Sequence, residues 1–162
     1  MYNAVSKDGF VARVDGSEDF IPDEAWDDFL ELLGSYDAVV MGRRTYEAIQ
    51  QYPRPMIEAF EKISIKRVIV SREEQFHPED GYLVTSSLSE IPKVGVNVLL
   101  TAGPTLNSAA LKEGMIDRVM LNILPELIGV GLPVFNQPPK LVLLSTKEAL
   151  SGGKMCTYQI QM

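Results

Sequence analysis

Short apolar runs alternating with stretches of helical periodicity constrain this chain more than any other feature. Nine runs rich in β-branched or apolar residues, each bounded by Gly, Pro, Ser or charge, read as strands: YNAVS, FVARV, DAVVM, RVIVS, YLVT, VNVLLT, RVMLNIL, LVLLSTKEAL and MCTYQIQM. The clearest helix between them is Pro22 to Leu33. There Trp26, Phe29, Leu30 and Leu33 recur at i, i+3, i+4 and i+7, Pro22 and Asp23 supply a start, and Gly34 supplies a stop. Its acids Glu24, Asp27, Asp28 and Glu31 are expected on the opposite side. Further helices are predicted over 45–51, 55–63 and 104–113, the last closed by Gly114. Strands alternating with helices imply βαβ units and a mostly parallel sheet covered on both faces. The last two runs meet through Ser151-Gly152-Gly153, which implies an antiparallel hairpin. One mixed-sheet α/β domain over residues 1–162 is expected.

Composition removes several function classes. The formal charge is −7 and the 15 Lys and Arg are scattered, so neither nucleic acid nor an anionic membrane is an expected partner. A single cysteine, Cys156, cannot close an internal disulfide, and a single histidine, His77, cannot build a His-rich metal site. No Ser/His/Asp arrangement, C-x-x-C or H-E-x-x-H occurs, so no metal is expected. The opening MYNAVSKDGF lacks the basic and apolar regions of a signal peptide, and a cytoplasmic protein is expected.

In a parallel α/β sheet, ligands gather beyond the carboxyl ends of the strands. Three strand ends here carry residues suited to phosphate. DAVVM runs into Gly42, Arg43, Arg44 and Thr45, where a glycine admits a phosphate to the backbone and arginine forks onto its oxygens. RVIV ends in Ser71 and Arg72, a hydroxyl beside a guanidinium. VNVLLT is followed by Ala102-Gly103-Pro104-Thr105 and a helix, whose N–H groups at Thr105, Leu106 and Asn107 are expected to face an anion. Neither G-x-G-x-x-G nor G-x-x-x-x-G-K-[ST] is present, so another α/β scheme is required. The segment SKDGFVARVDGSEDFIPDE, with two Asp-Gly turns, reads either as a mobile cover over a pocket or as an ordinary surface loop.

The order of AVSKDGFVA, DAVVMGRRTYEAI, VIVSRE, LLTAGPTLNSAALKEGMIDRVMLNILPELIGVGLPVF and a terminal hairpin resembles the dihydrofolate reductase superfamily. It most resembles the branch holding the reductase domain of the bifunctional riboflavin-biosynthesis deaminase/reductase. That resemblance implies a three-layer fold and an NADPH-dependent reductase. By the same resemblance, Gly42 and Thr45 would lie against the diphosphate, Arg43 would reach the adenosine 2′-phosphate with Arg44 assisting, and Ser71 and Arg72 would hold the adenosine ribose phosphate. Ala102, Gly103, Pro104, Thr105 and Leu106 match the pyrophosphate turn, where the family has Gly-Gly, and Ala4, Val11 and Ala12 match backbone positions that hold the nicotinamide carboxamide. Trp26 falls where true dihydrofolate reductases place the pterin carboxylate, and shifting the helix brings Glu24 or Asp27 there. Asp8, in S-K-D-G, matches the riboflavin branch. The implied substrate is a pyrimidine or pterin-like heterocycle, with Asp8, Trp26 and Asp27 as candidate catalytic residues and Asp8 or water relaying a proton. Dihydrofolate reductase proper and a non-catalytic nucleotide-binding protein stand as alternatives. A homodimer is expected from the resemblance and from the apolar C-terminal strands.

Overall fold

The computed structural model describes residues 1–161 and contains β1 (Tyr2–Val5), β2 (Phe10–Ala12), α1 (Asp23–Leu33), β3 (Ala38–Gly42), α2 (Arg43–Ile49), α3 (Arg54–Glu61), β4 (Lys66–Val70) and β5 (Tyr82–Thr85). A 3-10 helix (Leu88–Lys93), β6 (Val98–Thr101), α4 (Pro104–Lys112), β7 (Arg118–Ile123), β8 (Leu132–Pro133), β9 (Leu141–Glu148) and β10 (Lys154–Ile160) follow. All nine expected strands form; the last residue of the MCTYQIQM run, Met162, lies outside the described residues. The fold class is α/β with mostly parallel pairing and an antiparallel terminal hairpin, as expected. Two elements were not predicted, β8 and the 3-10 helix, because each is too short to show a period.

The chain groups into two compact units, one of residues 1–28 and 103–162 and the other of residues 29–102. In the second, β5, β4, β3 and β6 form a four-stranded sheet in that order, every pair parallel. Val39, Val40, Met41, Ile69 and Leu99 are almost completely buried, as expected for strands covered on both faces. Arg67, in the middle of this core, shows how a charge is accommodated. Its Nη2 donates to the carbonyls of Phe60, Glu61 and Ile63 at 2.7, 2.7 and 2.6 Å, and its guanidinium lies 5.1 Å from the Phe60 ring centre. Helix α3 has no basic residue in its own last turn, so this strand residue serves the open carbonyls of the helix end. The two hydrogens of Nη2 are shared among three carbonyls; bonds from a charged donor contribute about 1.5–3 kcal/mol each, which offsets part of the cost of burying the cation.

In the first unit, β1 runs parallel to β7, and β7, β10 and β9 continue antiparallel. A polar network is buried where α1 meets the hairpin turn. Asp28 accepts from Asn122 Nδ2 at 3.0 Å and from the N–H groups of Leu150 and Ser151 at 2.8 and 3.1 Å, while Ser151 Oγ donates to Asn122 Oδ1 at 3.1 Å. This corrects the expectation that Asp28 faces outward with Glu24, Asp27 and Glu31. The buried stripe of α1 is Ala25, Asp28, Phe29 and Leu33, and Asp28 joins it at i+3 from Ala25. A buried carboxylate is tolerated because three donors meet it.

Burial pushes the Tyr2 phenol up to about 12, aided by the nearby Asp28 charge and opposed by a bond to Asn122. Burial and the adjacent Glu61 carboxylate do the same to Tyr82, also to about 12. Both folded values exceed the ordinary value of 10.0, so the native state holds these protons after the unfolded chain has lost them. Their stabilisation is complete below pH 10 and disappears as pH rises towards 12. Titration of tyrosinate absorbance should show two phenols resisting ionisation until about pH 12, with unfolding free energy falling between the two pH values. Ordinary ionisation of all six tyrosines near pH 10 would contradict this.

Candidate cofactor and active site

The register of the parallel sheet decides where the three phosphate-suited segments lie. Met41 pairs with Ile69 on one side and Thr101 on the other, and Gly42 pairs with Val70. Gly42 to Thr45, Ser71 with Arg72, and Ala102 therefore leave three neighbouring strands at the same edge. Helix α2 begins at Arg43, two residues before the predicted start, because Gly42 in extended backbone (φ −77°, ψ 162°) stands directly before it. Arg43 Nη1 donates to Glu73 Oε2 and lies 3.7 Å from Glu47 Oε1. Ser71 is buried; its N–H donates to the Thr85 carbonyl at 2.9 Å, and its Oγ accepts from the Glu73 N–H at 3.2 Å. Arg44 and Arg72 are exposed.

Ala102 is buried, and the chain continues through Gly103 into α4. Gly103 has φ −80° and ψ 178°, a conformation open to any residue, and a Cβ built there meets no atom within 4 Å. Neither backbone strain nor packing within the chain demands glycine at this position. Pro104 takes the first helical turn, as expected. One expectation fails: the Asn107 N–H donates to the Gly103 carbonyl at 3.1 Å, closing the first helical turn, so only Thr105 and Leu106 keep outward N–H groups. The Asn107 side chain is fully buried and donates to Asn3 Oδ1 at 3.1 Å and the Val134 carbonyl at 3.0 Å, anchoring α4.

The remaining candidates belong to the first unit. Ala4 sits in β1 opposite Asn122, and Ala12 in β2 opposite Leu132, with Val11 and Ala12 both buried. Gly131 permits this β2–β8 ribbon, since a Cβ there would come within 2.3 Å of the Ala12 carbonyl oxygen. Asp8 lies on the turn between β1 and β2 and accepts from Ser6 Oγ at 2.6 Å, Gly129 N–H at 2.8 Å and Ile128 N–H at 3.3 Å. The Ser6 hydroxyl, followed by these backbone donors, holds its carboxyl below the usual 3.8. On α1, Trp26 is half-buried and Asp27 exposed. Among the described residues, no group of three or more His, Cys, Asp or Glu is placed to hold a metal ion.

The family model for the RibD C-terminal domain matches residues 84–157. The Bacillus subtilis (strain 168) protein YwjB is 26% identical over 172 aligned positions, covering 100% of this chain and 94% of its own length. RibD from Acinetobacter baumannii superposes with a TM-score of 0.74 at 22% identity, over 99% of this chain and 56% of that one. Dihydrofolate reductase from Enterococcus faecalis, solved with NADP(H) and RAB-propyl, superposes with a TM-score of 0.66 at 15% identity, over 99% and 95% of the two chains. This chain has the dihydrofolate-reductase-like fold, with a RibD C-terminal-domain match over its second half.

Within that dihydrofolate-reductase-like fold, the sequence pattern placed Asp28 on the wrong side of its helix and gave Glu73 no role. The first was detectable at i+3 from Ala25; the second only through the hydroxyl of Ser71 two residues earlier, which can bind the N–H of residue 73. Asp8 has three donors and a lowered pKa, which makes it an anchor for the loop at Ile128 and Gly129. Its anchoring is complete above pH 3.8 and is lost as pH falls through the lower folded value. In Asp8→Asn at neutral pH, amide exchange should speed up at Ile128 and Gly129 and stay unchanged at buried Val119. Unchanged exchange at both loop amides would contradict the anchoring role.

Proposed function

We propose that this protein is an NADPH-dependent reductase that transfers a hydride to a pyrimidine or pterin-like heterocycle, in the manner of the riboflavin-pathway 5-amino-6-(5-phosphoribosylamino)uracil reductase domain. The observation that carries this reading is Gly103: a glycine that its own chain does not need, following one of three strand ends supplied with arginine, hydroxyl and bare amide donors. Such donors fit a phosphorylated dinucleotide. In this reading the Thr105 and Leu106 N–H groups and Gly42 meet the diphosphate, while Arg43, Arg44, Ser71 and Arg72 meet the adenosine phosphate. Backbone groups of Ala4, Val11 and Ala12 orient the carboxamide end. The nicotinamide supplies the hydride; the protein's task is alignment and exclusion of water.

The acceptor is a C=N or masked carbonyl carbon, and a proton goes to its heteroatom. Asp8, already an ionised acceptor for three donors, is better suited to fixing the loop than to giving up a proton, so water supplies it. Trp26 and Asp27 on α1 are proposed to flank the heterocycle. Asp28 is excluded from that role because its carboxylate is committed to Asn122 and the hairpin turn.

The test couples binding to turnover. Calorimetry with NADPH should give saturable binding, and loss of reduced-nicotinamide absorbance should follow addition of one member of a panel of aminopyrimidines, pterins and dihydrofolate. Gly103→Val should weaken NADPH at least tenfold while costing about 1 kcal/mol of stability or less, the scale of an N-cap change. Wild-type affinity in the variant, or no binding by the wild type at millimolar NADPH, would overturn the assignment. Turnover of dihydrofolate alone would identify dihydrofolate reductase proper, and binding without turnover of any heterocycle a non-catalytic protein.

The partners proposed are the small-molecule heterocycle and a second copy of the chain, in the cytoplasm; among the described residues no helix is long and apolar enough to cross a membrane. Strand β9 is the outer strand of its sheet, and Val142, Leu143 and Leu144 are 45, 54 and 45% exposed. An apolar outer strand with unpaired ladder groups is self-complementary about a two-fold axis. Sedimentation should give a dimer that Leu143→Lys converts to monomer; a monomeric wild type would refute the pairing.

A further inference from the structure

The two segments that leave β3 and β4 carry three arginines, Arg43, Arg44 and Arg72, among five acids, Glu47, Glu73, Glu74, Glu79 and Asp80. Arginines suited to a phosphate therefore stand among acids of the same two segments that can compete for them. Glu73 accepts a hydrogen bond from Arg43 Nη1, while Glu47 pairs with the same nitrogen more loosely, at 3.7 Å. The position of Glu73 is fixed from both sides. The Glu73 N–H donates to Ser71 Oγ at 3.2 Å, and its carbonyl accepts from the Phe76 N–H at 3.2 Å. The Phe76 ring packs edge-on against Tyr46 of α2 with centres 5.7 Å apart, and Tyr46 Oη accepts from the Glu79 N–H at 2.9 Å. A strap from Glu73 to Glu79 is therefore fastened to α2, and it presents the Glu73 carboxylate to the residue that opens that helix.

We infer that Glu73 is an internal competitor for the extra phosphate of NADPH, and that it sets how strongly the site discriminates NADPH from NADH. The inference rests on the cofactor reading above and specifies a determinant within it. Arg43 and Glu73 side chains are 37 and 53% exposed, so their pair is weak enough to exchange. An incoming 2′-phosphate takes Arg43 and displaces the carboxylate, whereas a ribose hydroxyl has no charge to compete with it. The chain then binds NADPH less selectively than its three arginines suggest.

The experiment is calorimetric titration of the intact protein with NADPH and with NADH, for wild type, Glu73→Gln, Arg43→Gln and the double variant. Glu73→Gln should tighten NADPH about fivefold, the upper scale of an exposed ion pair, and change NADH less than twofold. The gain should shrink as salt is raised and fall below twofold on the Arg43→Gln background. An unchanged NADPH affinity in Glu73→Gln, with wild-type binding intact, would overturn the inference and leave the cofactor reading standing. A full gain persisting without Arg43 would also overturn it, since simple repulsion would then suffice. Failure of all four proteins to bind either dinucleotide would sink both.

Discussion

The parallel pairing of β3 with β4 on one side and β6 on the other is the constraint on which the rest depends. In-register pairing brings the carboxyl ends of three strands to one edge, and the residues that follow them inherit that alignment. A slip of one residue in β3 would turn its side chains to the other face. The near-complete burial of Val39, Val40 and Met41 makes the direct penalty for a slip small in hydrophobicity but large in packing, since each fills a different space. Arg67 reinforces the arrangement by tying β4 to the end of α3.

The two units contribute different kinds of chemistry. The second carries charge on exposed arginines and acids at strand ends, where an exchange of partners is inexpensive. The first commits its best-placed carboxylates to structure: Asp28 to the hairpin turn and Asp8 to the loop at Ile128 and Gly129. Asp27, next to Asp28 on α1, stays exposed because the helical period turns it away from Ala25 and Phe29. The proposed chemistry follows that division: the second unit supplies the arginines offered to the phosphates, and the first keeps its committed carboxylates out of proton delivery, which is left to water.

Much of this was legible in the sequence because it is written in local patterns. The strands β3, β4 and β6 are β-branched or apolar runs between turn residues, and Pro104 with Gly114 marks the two ends of α4. What escaped depends on contacts between distant residues. Asp28 looks like one more surface acid of an amphipathic helix until Asn122 and Leu150 supply donors from residues more than ninety positions away. Asn107 looks like an amide available to a ligand, yet its N–H closes a helical turn and its side chain reaches back to Asn3. The pairing of Arg43 with Glu73 needs the register of two strands before it can be seen.

Hydrogen exchange of the backbone amides in the presence and absence of NADPH tests the central claim most directly, because it reads each strand end separately. The account predicts simultaneous protection at residues 42–45, at Ser71 and Arg72, and at Thr105 and Leu106. Protection at only one of these segments, or at none while the dinucleotide is bound, would contradict a shared phosphate-binding edge.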